Sequence, residues 1–162
     1  MRTVNKLFRR RHTAVATTLC VTALGIVSVT ALTSLSAKAA NPADVAQLIE
    51  TGICKACDLS GADLTGAHLI GADLRDADLT ETILAHANLE GADLTGATLV
   101  NTDLSNAYLT NAALDNTIIS NVDFSESTLV YTSLENANVS DVDLVGANVI
   151  NTPISIGGSY DQ

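Results

Sequence analysis

Aromatic residues are scarce in this chain of 162 residues, which contains two Phe, three Tyr and no Trp. Conventional globular cores draw much of their buried area from aromatic side chains, so any core here must be aliphatic. Hydrophobic residues nevertheless make up 47% of the sequence, which excludes the composition typical of disordered proteins. The length suits one domain, and we expect the chain to fold.

Acidic residues are absent from the first 39 residues, and basic residues are nearly absent from the remainder. Six of the eight Lys and Arg residues precede Ala39, and all eighteen Asp and Glu residues follow it. Only Lys55 and Arg75 are cationic beyond that point, so two cations against eighteen acids give a formal charge of −16. The two parts of the chain therefore have different roles.

Residues 1–39 have the pattern of a cleavable export signal. The basic stretch RRRH precedes an uncharged run rich in Ala, Val, Leu and Thr, and the tripeptide AKA supplies small residues for a signal peptidase. A retained anchor is the alternative, because about 20 apolar residues can span a bilayer, and only this segment would then contact a membrane. We predict export to the periplasm or the thylakoid lumen, which use similar signals.

The stretch NPADVAQLIETG predicts a short helix over residues 42–51. Asn41 can cap its first turn, Pro42 suits the first helical position, and Gly52 can end the helix in a left-handed conformation. We assign residues 40–56 to this capping helix and a linker. The apolar stripe expected to cover the first coil of the following domain consists of Val45, Leu48 and Ile49.

An apolar residue recurs every five residues from Leu59 to Ile154. These twenty central positions stay in phase, and fifteen of them are Leu. A small residue stands two positions before each centre, beginning with Cys57. Five residues advance about 500° on an α-helix and change face on a flat strand, so neither structure could bury all the centres. A chain that turns about a quarter circle per pentad points every centre at one axis.

Units such as CDLSG, ADLTG and ANLEG resemble the A-[DN]-L-x-x signature of the pentapeptide-repeat family over residues 57–156. The resemblance implies an all-β solenoid, namely a right-handed quadrilateral β-helix of about five coils with a short N-terminal capping helix. Residues 157–162 would form a tail. No second capping helix is evident there, which leaves end-to-end self-association open. The expected core includes Leu59, Leu64, Leu69, Leu74, Leu104 and Phe124.

The motif CKAC, from Cys54 to Cys57, is the clearest chemical candidate. In an exported protein, two cysteines with two residues between them favour a structural disulfide, which we expect to join the cap to the first coil. A redox dithiol and half of a zinc site are the alternatives. Zinc would need further ligands nearby, and His68 and His86 are isolated in the sequence. We predict no cofactor.

Placing successive pentads on four faces makes two faces acidic and one partly apolar. One acidic column contains Asp63, Asp103, Asp123 and Asp143, interrupted by Ile83. We expect these carboxylates to serve turns and solubility, with weak divalent-cation binding as the alternative. The partly apolar face is predicted to bind an unidentified protein partner through Ile70, Tyr108, Val130, Tyr131 and Ile150.

No nucleophile with a base, phosphate loop or paired acid and base is recognisable in the sequence. We therefore predict a noncatalytic structural or protein-interaction module in an exported compartment, with thiol redox chemistry as the enzymatic alternative. Some pentapeptide-repeat proteins resemble duplex DNA in shape and charge and regulate type II topoisomerases. The charge of −16 fits that alternative, but export argues against it, and we expect no nucleic-acid partner.

Overall fold

The computed structural model describes residues 39–154, so nearly all of the predicted export signal and the predicted tail lie outside the described residues. One helix, α1, spans Pro42–Thr51. Five short strands follow in chain order: β1 Thr98–Val100, β2 Ile118–Ser120, β3 Thr128–Val130, β4 Asn138–Ser140 and β5 Asn148–Ile150.

Helix α1 begins and ends as the sequence predicts. The side chain of Asn41 accepts a hydrogen bond from the Ala43 N–H at 3.0 Å, which satisfies one otherwise unpaired amide of the first turn. Gly52 has a φ of 68°, and its N–H donates to the carbonyl of Leu48 at 2.8 Å. The helix is therefore capped at both ends by local sequence.

Every strand pairs in parallel with the segment 20 residues away. Strands β1, β2 and β4 form one sheet and β3 and β5 another, in registers such as Leu99 with Ile119. Isolated parallel bridges keep the same spacing from Ile53 with Asp73 to Asp123 with Asp143. A parallel ladder with this single spacing is a β-helix-type solenoid, which confirms the predicted all-β solenoid with one short helix.

The direction changes between strands occur at one position in each pentad, two residues after the centre. The twenty described positions at this spacing from Ala56 to Asn151 all have positive φ, and six of them are Gly and seven are Asn. These two residue types tolerate the left-handed region best. A turn bond such as that from the Ala62 N–H to the Leu59 carbonyl, at 3.0 Å, closes many of these corners.

The central residues converge on one aliphatic core. All seventeen centres from Leu59 to Val139 are at most 8% exposed, and the six predicted core residues are among them. Small residues fill the space beside the centres, and Thr replaces Ala at several of these positions without leaving an unpaired hydroxyl. Thr82 Oγ1, for example, donates to the Leu59 carbonyl of the preceding coil at 2.8 Å.

Helix α1 lies over the first coil through both apolar and polar contacts. Leu48 is fully buried in the core and Val45 packs against it. The backbone N–H of Asp58 donates to the Asp44 carboxylate at 2.9 Å, and its carbonyl accepts from the Asn41 N–H at 3.1 Å. These bonds satisfy an edge of the coil that would otherwise face water.

The prediction that Ile49 contributes to the cap is wrong, because its side chain is 58% exposed. Adjacent helical residues point about 100° apart, and the coil meets the helix from the side of Leu48, which leaves Ile49 at the edge of the covered stripe. Leu48 lies three residues after Val45, so their side chains are neighbours on the side of the helix that covers the coil.

The solenoid begins earlier than residue 57, within the predicted linker. Ile53 bridges Asp73, and the Cys54 N–H donates to the Asp73 carbonyl at 2.7 Å. Cys54 is fully buried in the column otherwise filled by Leu. This pentad is not recognisable in the sequence, because Cys54 stands where Leu is expected and Gly52 occupies the position of the small residue.

The C-terminal end of the described solenoid is less covered. Leu144 is half-buried and Val149 is 39% exposed, although both occupy central positions. Each centre is buried by the coils on either side of it, and among residues 39–154 no further coil follows. End-to-end association through this end stays a prediction.

Candidate interaction surfaces

The two cysteines of CKAC are joined by a disulfide beneath helix α1. Cys54 is fully buried and Cys57 is 7% exposed. The Cys54 sulfur lies 3.2 Å from the carbonyl oxygen of Asp44, and as a disulfide sulfur it has no proton to donate, so the two atoms are in contact only. This burial favours a structural disulfide over an accessible redox pair. The prediction that the disulfide joins the cap to the first coil is wrong, because Cys54 and Cys57 both belong to that coil.

Most carboxylates of the acidic column support the turns that follow them. Parallel backbone β-bridges join Asp63 to Ile83 and Ile83 to Asp103, and the same ladder continues through Asp123 to Asp143. The Asp103 carboxylate accepts the backbone N–H two residues later at 3.0 Å, and those of Asp123 and Asp143 do the same at 2.8 and 2.9 Å. Such bonds hold the corner conformation, as expected for Asp in turns.

The Asp63 carboxylate accepts two hydrogen bonds from Thr65, one from its hydroxyl and one from its N–H. These bonds stabilise the charged form and lower the pKa of Asp63 below its ordinary value. Within residues 39–154, no three His, Cys, Asp or Glu side chains are grouped so that they could hold a metal ion.

Both cations of the solenoid lie on one face near its N-terminal end. Arg75 forms a two-point ion pair with Asp73, with Nε and Nη2 at 2.7 and 2.6 Å from the carboxylate oxygens. Its Nε also lies 3.7 Å from a carboxylate oxygen of Asp93. Lys55 is 3.8 Å from the carboxylate of Asp76. This charge cluster leaves the remainder of the solenoid without a Lys or Arg.

The pairing with Arg75 lowers the pKa of Asp73 to about 2, from an ordinary value of 3.8, and the same pairing raises the pKa of Arg75. A carboxylate with a depressed pKa in the folded state contributes stability above its unfolded pKa and loses it as pH falls through the folded value. Asp73→Asn is therefore expected to lower the urea midpoint at pH 6, and the difference from the parent should shrink between about pH 4 and pH 2.

Asp93→Asn is the matched control for that measurement. Asp93 is one coil away from Asp73 in the same column and makes only the longer contact with Arg75. We expect Asp93→Asn to change the urea midpoint less than Asp73→Asn does at pH 6. A pH-independent difference between Asp73→Asn and the parent would show that the ion pair does not contribute to stability.

The predicted partner-binding residues fall into two separate places on their face. Tyr108 bridges Thr128 at the start of β3, and Val130 at its end pairs with Ile150 of β5. Tyr131 follows Val130 directly. We name Tyr108, Val130, Tyr131 and Ile150 the tyrosine patch. Ile70 shares a column with Val130 but lies three coils away, at about 14 Å along the axis, so it is not part of this patch.

Three residues of the tyrosine patch are well exposed. Tyr108 is 55%, Tyr131 61% and Ile150 47% exposed, while Val130 is half-buried. Tyr131 also occupies a corner, with a φ of 56°. A bulky side chain is strained there, and its exposure means that burial does not offset the strain. Asn or Gly would therefore suit the fold better than Tyr at position 131.

Sequence reasoning missed the corner column as a structural signal. Gly or Asn occurs two residues after most centres, and this periodic pair of turn formers marks the left-handed positions. Tyr131 stands out only once that column is recognised. The role of Asp44 was also missed, since a helical carboxylate that pairs with a coil amide leaves no local pattern.

The repeats decide which family the chain belongs to. A model of pentapeptide repeats matches eight copies, over residues 57–96, 87–125 and 118–152, which together exceed half of the sequence. The chain belongs to the pentapeptide-repeat family. Proteins of this family are generally structural or interaction modules rather than enzymes. A comparison with curated proteins finds no match.

Solved pentapeptide-repeat proteins are similar to this chain at low identity. A pentapeptide repeat protein, Rfr23, from the cyanobacterium Cyanothece is 21% identical, with 68% of this chain and 92% of that one covered, at a TM-score of 0.49. HetL from Nostoc, involved in heterocyst differentiation regulation, is 25% identical, with coverages of 62% and 60% and a TM-score of 0.22. A protein from the Arabidopsis thaliana thylakoid lumen is 29% identical, with coverages of 71% and 74% and a TM-score of 0.25.

Membrane contact was predicted only for an uncleaved export segment. Within residues 39–154, no helix combines the length and hydropathy needed to cross a bilayer. The apolar run that raised the alternative of an anchor precedes Ala39 and lies outside the described residues.

Proposed function

We propose that this pentapeptide-repeat protein is a noncatalytic protein-interaction module that acts in an exported compartment, the periplasm or the thylakoid lumen. The observation that carries this proposal is the tyrosine patch: exposed apolar side chains, one of them held in a strained conformation, on an otherwise polar and acidic solenoid. The basic and apolar pattern of residues 1–39 supports export. The buried disulfide is of the kind that persists in oxidising compartments.

The proposal includes the architecture in which the patch is presented. We propose a right-handed quadrilateral β-helix of about five coils. The 20-residue register supports the four-sided coil, because four pentads then complete one coil, and the family resemblance implies the right hand. In such a solenoid, each outward column is a straight row with a spacing of about 4.8 Å. Side chains from successive coils can then form one continuous surface for a partner.

Fractionation and affinity capture test the proposal. The full chain with a C-terminal tag is expressed in its native type of cell, and we expect the processed chain, lacking 39 residues, in the lumenal or periplasmic fraction. A partner that copurifies with the parent is expected to be lost from the double variant Tyr108→Ser and Tyr131→Asn. An unprocessed chain in the cytoplasm would contradict export, and equal capture by the double variant would contradict the role of the patch.

A second candidate function is the regulation of a topoisomerase by mimicry of DNA. The observation in its favour is the column of Asp103, Asp123 and Asp143, whose carboxylates recur once per coil along the acidic face. Duplex DNA carries a much denser line of charge, about one per 1.7 Å of axis. We expect the purified protein to leave gyrase supercoiling unchanged, and inhibition at stoichiometric protein would favour this candidate instead.

A further inference from the structure

The tyrosine patch is bordered by carboxylates. Glu126 occupies the corner before β3, and a methyl group added to Gly146 would collide with its carboxylate, which places that charge beside the corner leading to β5. Glu135 follows Tyr131 in the same coil. The Asp115 carboxylate accepts the Glu135 N–H at 2.7 Å, so the two acids lie together on the next face.

Cations are remote from the patch. Arg75 shares an outward column with Asp115 and Glu135, and three coils, or about 14 Å along the axis, separate Arg75 from Glu135. Arg75 and Lys55 are, moreover, already paired with carboxylates of their own face. The potential around the patch is therefore negative and uncompensated, and at physiological salt it extends about 8 Å from the surface.

We propose that the tyrosine patch binds a basic amphipathic segment of another protein. Its apolar side chains would pack on Tyr108, Val130 and Ile150, and its Lys or Arg side chains would pair with Glu126 and Glu135 or lie over the ring of Tyr131. This inference rests on the proposed function and specifies the chemistry of the partner. The Tyr131 ring supplies contact area at the corner edge of the patch, which accounts for an aromatic residue in a strained conformation there.

Charge disfavours two other occupants, a second copy of the solenoid and residues 155–162. A second copy would bring the same ring of carboxylates against the first, and like charges across an interface are repulsive. Residues 155–162, SIGGSYDQ, contain one Asp and no Lys or Arg. A basic partner is the occupant whose charge would neutralise the carboxylates of Glu126 and Glu135 beside the patch.

The test uses a synthetic probe and the protein as purified from cells that export it. The probe is a helical peptide of about 14 residues with Leu on one face, Lys on the other and a single Trp on the Leu face. The protein contains no Trp, so Trp emission reports the peptide alone. We expect a blue shift with a dissociation constant on the order of 10–100 µM, as suits a small patch, and weaker binding at higher salt.

Tyr131→Asn and Ile70→Ser are the paired variants. Asn occupies seven other corners, so Tyr131→Asn should raise the melting temperature by a few degrees while weakening probe binding about fivefold or more. A purely structural role for Tyr131 would not give these opposite changes. Ile70 is 62% exposed on the same face but lies away from the patch, and Ile70→Ser should leave probe binding within about twofold of the parent.

Several results would overturn the inference. These are the absence of any emission shift at millimolar probe, equal affinity for an oligolysine of the same length or for a Leu–Glu counterpart, and equal weakening by Ile70→Ser. Competition by the peptide SIGGSYDQ, or a dimer that Tyr131→Asn dissociates, would assign the patch to the chain itself. The probe experiment requires no natural partner. If it fails, the capture experiment can still support or contradict the proposed function.

Discussion

Ile119→Ala is expected to lower the free energy of unfolding by about 2–5 kcal/mol, because it removes a fully buried side chain from the middle of the stack. Ile119 is the central residue of β2, and that strand is hydrogen-bonded to β1 on one side and β4 on the other. Neighbouring coils hold the backbone at this point, so the cavity can collapse only partly. Urea unfolding followed by far-ultraviolet circular dichroism measures the change.

Ile118→Ala is the matched control, since Ile118 is the preceding residue of the same strand and is 49% exposed. Both substitutions lose the same β propensity, so their difference reports burial alone. We expect Ile118→Ala to cost at most about 1 kcal/mol. Equal destabilisation by the two variants would contradict the inward direction of the central column.

Leu48→Asp is expected to destabilise the first coil by about 3 kcal/mol or more, because a carboxylate would replace a fully buried leucine between helix and solenoid. In a solenoid each coil contacts only its neighbours, so the loss should stay near the N-terminal end. Hydrogen exchange is the suitable measurement. The Cys54 and Leu59 amides, which bond to the second coil, should exchange faster, and those of β3 should be little changed.

Ile49→Asp separates the cap from a general effect of charge on the helix. Ile49 is the next residue of α1 and is 58% exposed, so its substitution should leave exchange in the first coil nearly unchanged. If Leu48→Asp leaves the Cys54 and Leu59 amides as protected as in the parent, the helix does not stabilise the coil. Faster exchange throughout all coils would instead show that the cap controls the whole solenoid.

Periodic features of the fold could be predicted because each is a local rule repeated many times. An apolar residue at every fifth position, with a small residue two places before it, indicates a chain that turns about a quarter circle per pentad. The family resemblance implies that this path is a β-helix. Asn41, Pro42 and Gly52 likewise predict the ends of α1, since capping is local. The surface columns follow once four pentads are placed in a coil.

Features that depend on a single contact could not be predicted in this way. Ile49 belongs to the apolar stripe of the helix by spacing, but the direction from which the coil meets α1 decides that Leu48 is buried and Ile49 is not. Cys54 interrupts the run of leucines and yet fills a central position. Ile70 and Val130 occupy the same position of their pentads, and only the coil to which each belongs decides that Ile70 lies away from the tyrosine patch.

The sequence by itself determined the repeat, the aliphatic core, the short helix and the separation of charge, because each of these is a property of residue type and spacing. Tertiary structure decided where the solenoid begins, which side of α1 covers it, that Arg75 pairs with Asp73, and that Tyr131 is a strained corner within a patch bordered by carboxylates. These outcomes depend on which residues the 20-residue register places in adjacent coils. The five-residue spacing along the chain specifies that register, but the contacts between coils decide which side chains become neighbours on the surface.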